Sequence, residues 1–251
     1  MSGLATPVIA GNWKMYKGPS ETIAFFDRFT ALSPPRDDRT VLFFPPSISL
    51  HAAADRLRDR PDIRLGVQNI HWEAEGAFTG EISAGMAADA GARFVLAGHS
   101  ERRHVFGEPD EAVARKASAA LAASLVPVVC VGETLDERTA GRLEPVLDRQ
   151  LGTVLDLLDT SSRIIIAYEP VWAIGTGQTA TPADAAAAHA FLRAVLRERI
   201  GEAAADVPIL YGGSVKPSNA AELLAATDVD GVLVGGASLD PGGFATIAAG
   251  G

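Results

Sequence analysis

The sequence is poor in the residues that most often announce a function. It has a single cysteine, Cys130, so no internal disulfide can form, and its apolar surroundings VPVVCVG suit a small buried thiol in a strand better than a catalytic one. There is no H-x-H, H-E-x-x-H or C-x-x-C spacing, and His99 with His104 does not make a one-face helical pair, so no metal site is expected. Positive charge is scarce too. With 22 basic against 31 acidic residues the net charge is -9, which disfavours a nucleic-acid partner and leaves any anionic substrate to local groups. The longest mostly apolar run, around residues 119–132, is interrupted by Ser124 and Pro127 and falls short of the roughly 18 residues of a membrane span. The amino terminus shows no basic leader followed by a long apolar stretch, so a cytoplasmic protein is expected.

What the chain does have is repetition. Short apolar runs recur at 7–13, 40–44, 63–68, 93–98, 126–132, 163–169, 207–213 and 231–236, and continuous apolarity marks strands covered on both faces. Helical patterns alternate with them, including a long one over 135–158 and one over 183–200 that Thr181 caps and Pro182 opens. Eight strand-helix units in 251 residues, with no Pro/Gly/Ser-rich linker, predict one (β/α)8 barrel domain spanning the chain. A doubly wound open sheet is the alternative.

In a barrel, chemistry belongs at the carboxyl ends of the strands. Those positions hold Asn12 and Lys14, His99 with Ser100 and Glu101, Glu169, Gly212-Gly213-Ser214, and Gly235-Gly236. Ser214, Gly235 and Gly236 follow the last two strands, where backbone N–H groups without an intervening Cβ can cradle a phosphate. Lys14, two residues beyond Asn12, is expected on the same side of the strand end. His99 precedes Ser100, the expected cap of a short helix, and an imidazole at a helix amino terminus favours its neutral form. His51, His71, His104 and His189 read as surface or core residues.

The stretch 175–180, GTGQTA, fits G-x-G-x-x-A, and a nicotinamide dehydrogenase using it is one alternative; a barrel that only binds is another. The pattern should open the first strand-helix turn of a dinucleotide fold, whereas here it stands beyond Glu169 and an apolar segment.

The segments AGNWKMYKG, NIHWEAEGAFTGEIS, LAGHSERRHVFGE, VVCVGETLDER, YEPVWAIGTGQTATP, ILYGGSVKPSNAAELL and GVLVGGASLDP resemble, in order, those of the triosephosphate isomerase family. The resemblance implies interconversion of dihydroxyacetone phosphate and D-glyceraldehyde 3-phosphate without a cofactor, in glycolysis and gluconeogenesis. It implies Glu169 as general base, His99 as electrophile, Lys14 and Asn12 beside the developing charge, and Glu101 behind them. The substrate would be bound by Asn12, the backbone at Trp13, Lys14, Gly175, Ser214, Gly235 and Gly236. Pro170, Val171, Trp172, Ala173, Ile174, Gly175, Thr176 and Gly177 would form a lid. It also implies a homodimer, with the loop around Thr79 inserting beside the partner's site and Arg102 in the interface.

Overall fold

Strands form where the apolar runs lie. The computed structural model describes residues 4–174 and 180–250. In it β1 (Val8–Asn12), β2 (Thr40–Phe44), β3 (Ile63–Val67), β4 (Phe94–Ala97), β5 (Val126–Val131), β6 (Ile165–Tyr168), β7 (Ile209–Tyr211) and β8 (Gly231–Val234) pair in parallel in chain order. Residues Val8 to Gly11 of β1 also pair with β8, closing the barrel. This is the (β/α)8 fold, and the open-sheet alternative fails on that closing pair.

The helices are α1 (Pro19–Leu32), α2 (Ser47–Arg56), α3 (Ala84–Asp89), α4 (Ser100–His104), α5 (Asp110–Ala122), α6 (Leu135–Thr139), α7 (Leu143–Leu155), α8 (Pro182–Ile200), α9 (Ala220–Leu224) and α10 (Pro241–Ala249). The period-2 alternation of a strand splits the core in two. Val8, Ala10, Leu42, Phe44, Leu96, Cys130 and Leu210 are among the residues that fill the barrel interior, while Ile9, Phe43, Val95 and Ile166 face the helices. Between β1, β2, α1 and α10, the rings of Trp13, Phe25, Phe26, Phe29, Phe43 and Phe244 pack mostly edge-to-face or tilted.

The helix starts follow local chemistry. Thr181 and Asp184 form a reciprocal capping box before Pro182. The expected single helix over 135–158 is instead two, α6 and α7, because Gly141 takes φ +67, a left-handed conformation that ends a helix. Among the described residues, no helix is long and apolar enough to cross a membrane.

Candidate active site

Glu169 is the residue after β6, and its N–H extends the ladder to the Val131 carbonyl at 2.8 Å. It is 2 % exposed. Room for it comes from two neighbouring glycines: a Cβ at Gly132 would lie 1.8 Å from the Glu169 carbonyl oxygen, and one at Gly212 would lie 2.8 Å from its Cγ. Its carboxylate accepts the Ser100 N–H at 2.8 Å on Oε2, and Oε1 lies 3.0 Å from His99 Nε2.

His99 follows β4 through Gly98, whose φ is +74. The structure corrects the expected cap, since His99 itself takes the N-cap position of α4 and its Nδ1 accepts the Glu101 N–H at 3.3 Å. Ser100 is instead the first residue of α4, and its N–H donates to Glu169. With Nδ1 accepting, Nε2 is the nitrogen left to donate toward the carboxylate. Burial of the ring disfavours its charge, but the Glu169 carboxylate outweighs burial and raises the His99 pKa above its ordinary value. Burial pushes the Glu169 carboxyl in the opposite direction from its partners: His99, the Ser100 N–H and Lys14 together hold it below the ordinary value.

Lys14 lies near the same groups, though not by strand alternation. The strand ends at Asn12 and Lys14 adopts φ +52, a conformation rare for a residue with a side chain. Three contacts fix it: its N–H donates to Asn12 Oδ1 at 3.0 Å, its carbonyl accepts Gln68 Nε2 at 2.8 Å, and its Nζ pairs with Glu101 Oε1 at 2.7 Å. The Trp13 side chain is fully buried, with Nε1 donating to the Ser238 carbonyl at 3.1 Å. The Trp13 main-chain N–H donates to the Phe44 carbonyl at 3.1 Å, so the expected binding role of the Trp13 backbone is not carried by its N–H.

A cavity of about 350 Å³ opens at the carboxyl ends of the strands, and its walls include Asn12, Lys14, His99, Glu169, Ser214, Gly235 and Gly236. Lys14 reaches across to Gly235, where a Cβ would lie 3.5 Å from Lys14 Cε. A second cavity, about 380 Å³, lies by Leu4, Ile164 and Val207 at the amino-terminal ends of the strands. It lacks a carboxylate-imidazole pair, so size does not identify the reactive end. Among the described residues, no cluster of His, Cys, Asp or Glu could hold a metal ion. Cys130 is fully buried in the barrel, and burial pushes its thiol pKa up, away from reactivity. His51 and His104 are exposed, His71 is half-buried and His189 is buried.

Beside the cavity, Val171–Ala173 form a short 3-10 turn and Ile174 lines the wall. Glu133, wholly buried just past β5, anchors this stretch. Its Oε1 accepts Trp172 Nε1 at 2.8 Å, the Tyr168 hydroxyl at 3.1 Å and Arg138 Nη1 at 3.3 Å, and its carbonyl accepts the Val171 N–H at 3.1 Å. Burial and Glu133 raise the Tyr168 pKa, keeping that hydroxyl a donor. Arg138 also pairs with Asp184 at the start of α8. The expected lid and binding residues Gly175, Thr176 and Gly177 lie outside the described residues, as does most of the G-x-G-x-x-A match.

Thr79 is exposed on its loop, and Arg102 pairs with Glu108 at 2.7 Å with its guanidinium 5.2 Å from the Phe106 ring centre. Sequence reasoning missed Gln68 and Glu133. Each stands just past a strand end, so the same rule that selected Glu169 would have found them.

Comparison with known proteins agrees with this geometry. The family model for triosephosphate isomerase matches residues 7–250. The triosephosphate isomerase of Solibacter usitatus is 52% identical over 244 residues, covering 96% of this chain and 98% of that protein. The enzyme of that name from Chloroflexus aurantiacus is 51% identical over 244 residues, covering 96% and 97%. A crystal structure of triosephosphate isomerase from Bartonella henselae superposes with a TM-score of 0.87 at 44% identity, covering 97% of this chain and 98% of that one. The chain belongs to the triosephosphate isomerase family.

Proposed function

We propose that the cavity interconverts dihydroxyacetone phosphate and D-glyceraldehyde 3-phosphate through an enediolate. The observation that carries this reading is the buried pair of Glu169 and His99, with Lys14 on the same cavity wall. Removing a proton from a carbon beside a carbonyl places negative charge on the carbonyl oxygen, so a base alone is insufficient. A base typically contributes about 10² to 10⁴ in rate, and donors aimed at the oxygen must supply more.

In this mechanism Glu169 turns from His99 to the substrate and takes a proton from C1 of the ketose. The C1–C2 bond gains double-bond character as charge collects on the C2 oxygen. His99 Nε2–H and the Lys14 ammonium donate to that charge, with Asn12 holding Lys14 in place. Moving a proton from O1 to O2 and returning the Glu169 proton to C2 gives the aldose, with no net change in atoms or electrons. The Glu169 carboxylate that raises the His99 pKa is turned away in this step, and the Nδ1 contact with the Glu101 N–H then favours a neutral ring, because a second ring proton would meet a donor.

The phosphate sits against the N–H groups at Ser214, Gly235 and Gly236, so that its binding energy positions the reacting carbons. Pro170–Ile174, tied to Glu133, is the anchored start of a cover that excludes water. A second copy of the chain supports Lys14 from outside: exposed Met15 and Tyr16 follow it directly, and exposed Val105 and Phe106 follow the helix bearing Glu101. Such a homodimer brings each Thr79 loop beside the partner's site.

A coupled assay with both triose phosphates and no added metal or nucleotide tests the reaction. Glu169→Gln should lose on the order of 10² to 10⁴ in kcat while still binding a phosphate-bearing inhibitor. Equal turnover in the two proteins overturns the assignment of the base.

A further inference from the structure

A dianionic substrate approaching this mouth meets an acidic protein. The net charge is -9, Glu169 is held as a carboxylate, and Lys14 is already paired with Glu101 at 2.7 Å. Among the described residues, one other lysine lines the cavity. Lys216, two residues past Ser214, is exposed at the rim, and among the described residues no carboxylate pairs with it.

The backbone that carries Lys216 is fixed. Asn219 Oδ1 accepts the Lys216 N–H at 2.7 Å while Asn219 Nδ2 donates to the Ser214 carbonyl at 3.0 Å, closing a clasp around the turn. The Lys216 carbonyl accepts the Asn219 and Ala220 N–H groups at 3.1 and 3.0 Å. Pro217 further restricts Lys216 to an extended backbone. The ammonium is therefore tethered beside the phosphate turn, although its side chain remains in solvent.

We propose that Lys216 is the steering cation of the site, drawing the substrate's phosphate toward Ser214, Gly235 and Gly236. This inference rests on the isomerase reading. With Lys216 present, the charges of Lys14, Lys216, Glu101 and Glu169 balance; without it the mouth is net negative toward a dianion. The attraction acts over several ångströms of water, so salt screens it, unlike a contact made inside the closed site.

The test compares kcat/KM for both triose phosphates across ionic strength in the wild type, Lys216→Gln and Lys216→Arg. Lys216→Gln should lower kcat/KM on the order of 3- to 10-fold at low salt, through KM more than kcat, and converge on the wild type near 1 M salt, where the screening length is about 3 Å. Lys216→Arg should restore both the value and the salt slope. Parallel salt slopes for wild type and Lys216→Gln, a loss that persists undiminished at high salt, or failure of Lys216→Arg to restore would each overturn the proposal. Inorganic phosphate binding, followed by calorimetry at low salt, separates the two readings. Tighter binding by wild type than by Lys216→Gln in a protein without turnover would uphold the cation and overturn only the isomerase reading.

Discussion

His99 Nε2 faces Glu169 Oε1 at 3.0 Å, so the residues proposed as electrophile and base are each other's partner. The arrangement stores both groups in usable form. The carboxylate keeps its proton-accepting state because a donor faces it, and the ring keeps its donor on Nε2 because Nδ1 is held by the Glu101 N–H. In the proposed reaction the substrate takes over both ends of this contact, which would make the pair's mutual electrostatics visible in the pH dependence.

For Glu169, burial alone would raise the pKa, and His99 is the foremost of the groups that reverse this. The carboxylate form of Glu169 therefore persists to lower pH than that of an ordinary carboxyl, and in the proposed reaction the acid limb of kcat/KM should lie correspondingly lower. His99→Gln removes the ring facing the carboxylate, so that burial is opposed only by the Ser100 N–H and Lys14. The acid limb should then move to higher pH, beyond any loss of rate. A pH profile of kcat/KM in both proteins checks this, and an unmoved limb would refute the coupling.

His189 carries a separate pH dependence, in stability. Its Nδ1 lies 2.9 Å from the Asp228 carbonyl, its ring meets Tyr168 edge-on at 5.9 Å, and its buried Nε2 has no hydrogen-bond partner among the described residues. Burial pushes its pKa down to about 4. The unfolded chain protonates this ring below about 6.5, so its contribution is intact above that pH and drains away as pH falls toward 4. Between pH 7 and 4.5 the wild type should lose about 2 kcal/mol more unfolding free energy than His189→Gln, which does not titrate. Urea unfolding at the two pH values reads the difference. Identical losses would mean that the ring is not held neutral.

The fold was legible because strands of a closed parallel barrel are buried on both faces, and TVLFF or RIIIAYE cannot be mistaken for half-solvated strands. Glu169, His99, Ser214 and Gly235 were legible by the same logic, as polar or glycine residues ending apolar runs. Lys14 does line the cavity, but not through strand alternation. Its left-handed backbone depends on Gln68, 54 residues away, and no local pattern carries that hydrogen bond. The cap of α4 was misassigned because hydroxyl residues usually cap helices, whereas here the helix already begins at Ser100 and the His99 ring takes the cap position. Glycine at 141 was a readable stop within 135–158, and the apolar spacing around it obscured the break.

The apolar surface beside Lys14 gives the last prediction. Met15 is 94% exposed in the single chain, Val105 72% and Phe106 69%, an unusual cost for residues flanking Lys14 and the helix of Glu101 unless a second copy covers them. Met15→Asp should barely disturb the isolated chain, since the side chain touches little there. In a dimer the same change buries an unpaired charge, weakening association on the order of 10²-fold and lowering kcat as Lys14 loses support. Sedimentation at micromolar concentration should show the wild type as a dimer and Met15→Asp shifted to monomer. Wild-type Tm should also rise with protein concentration more steeply than that of the variant. A fully active wild-type monomer, or a variant that dimerises as tightly as wild type, would show that this face is not the interface.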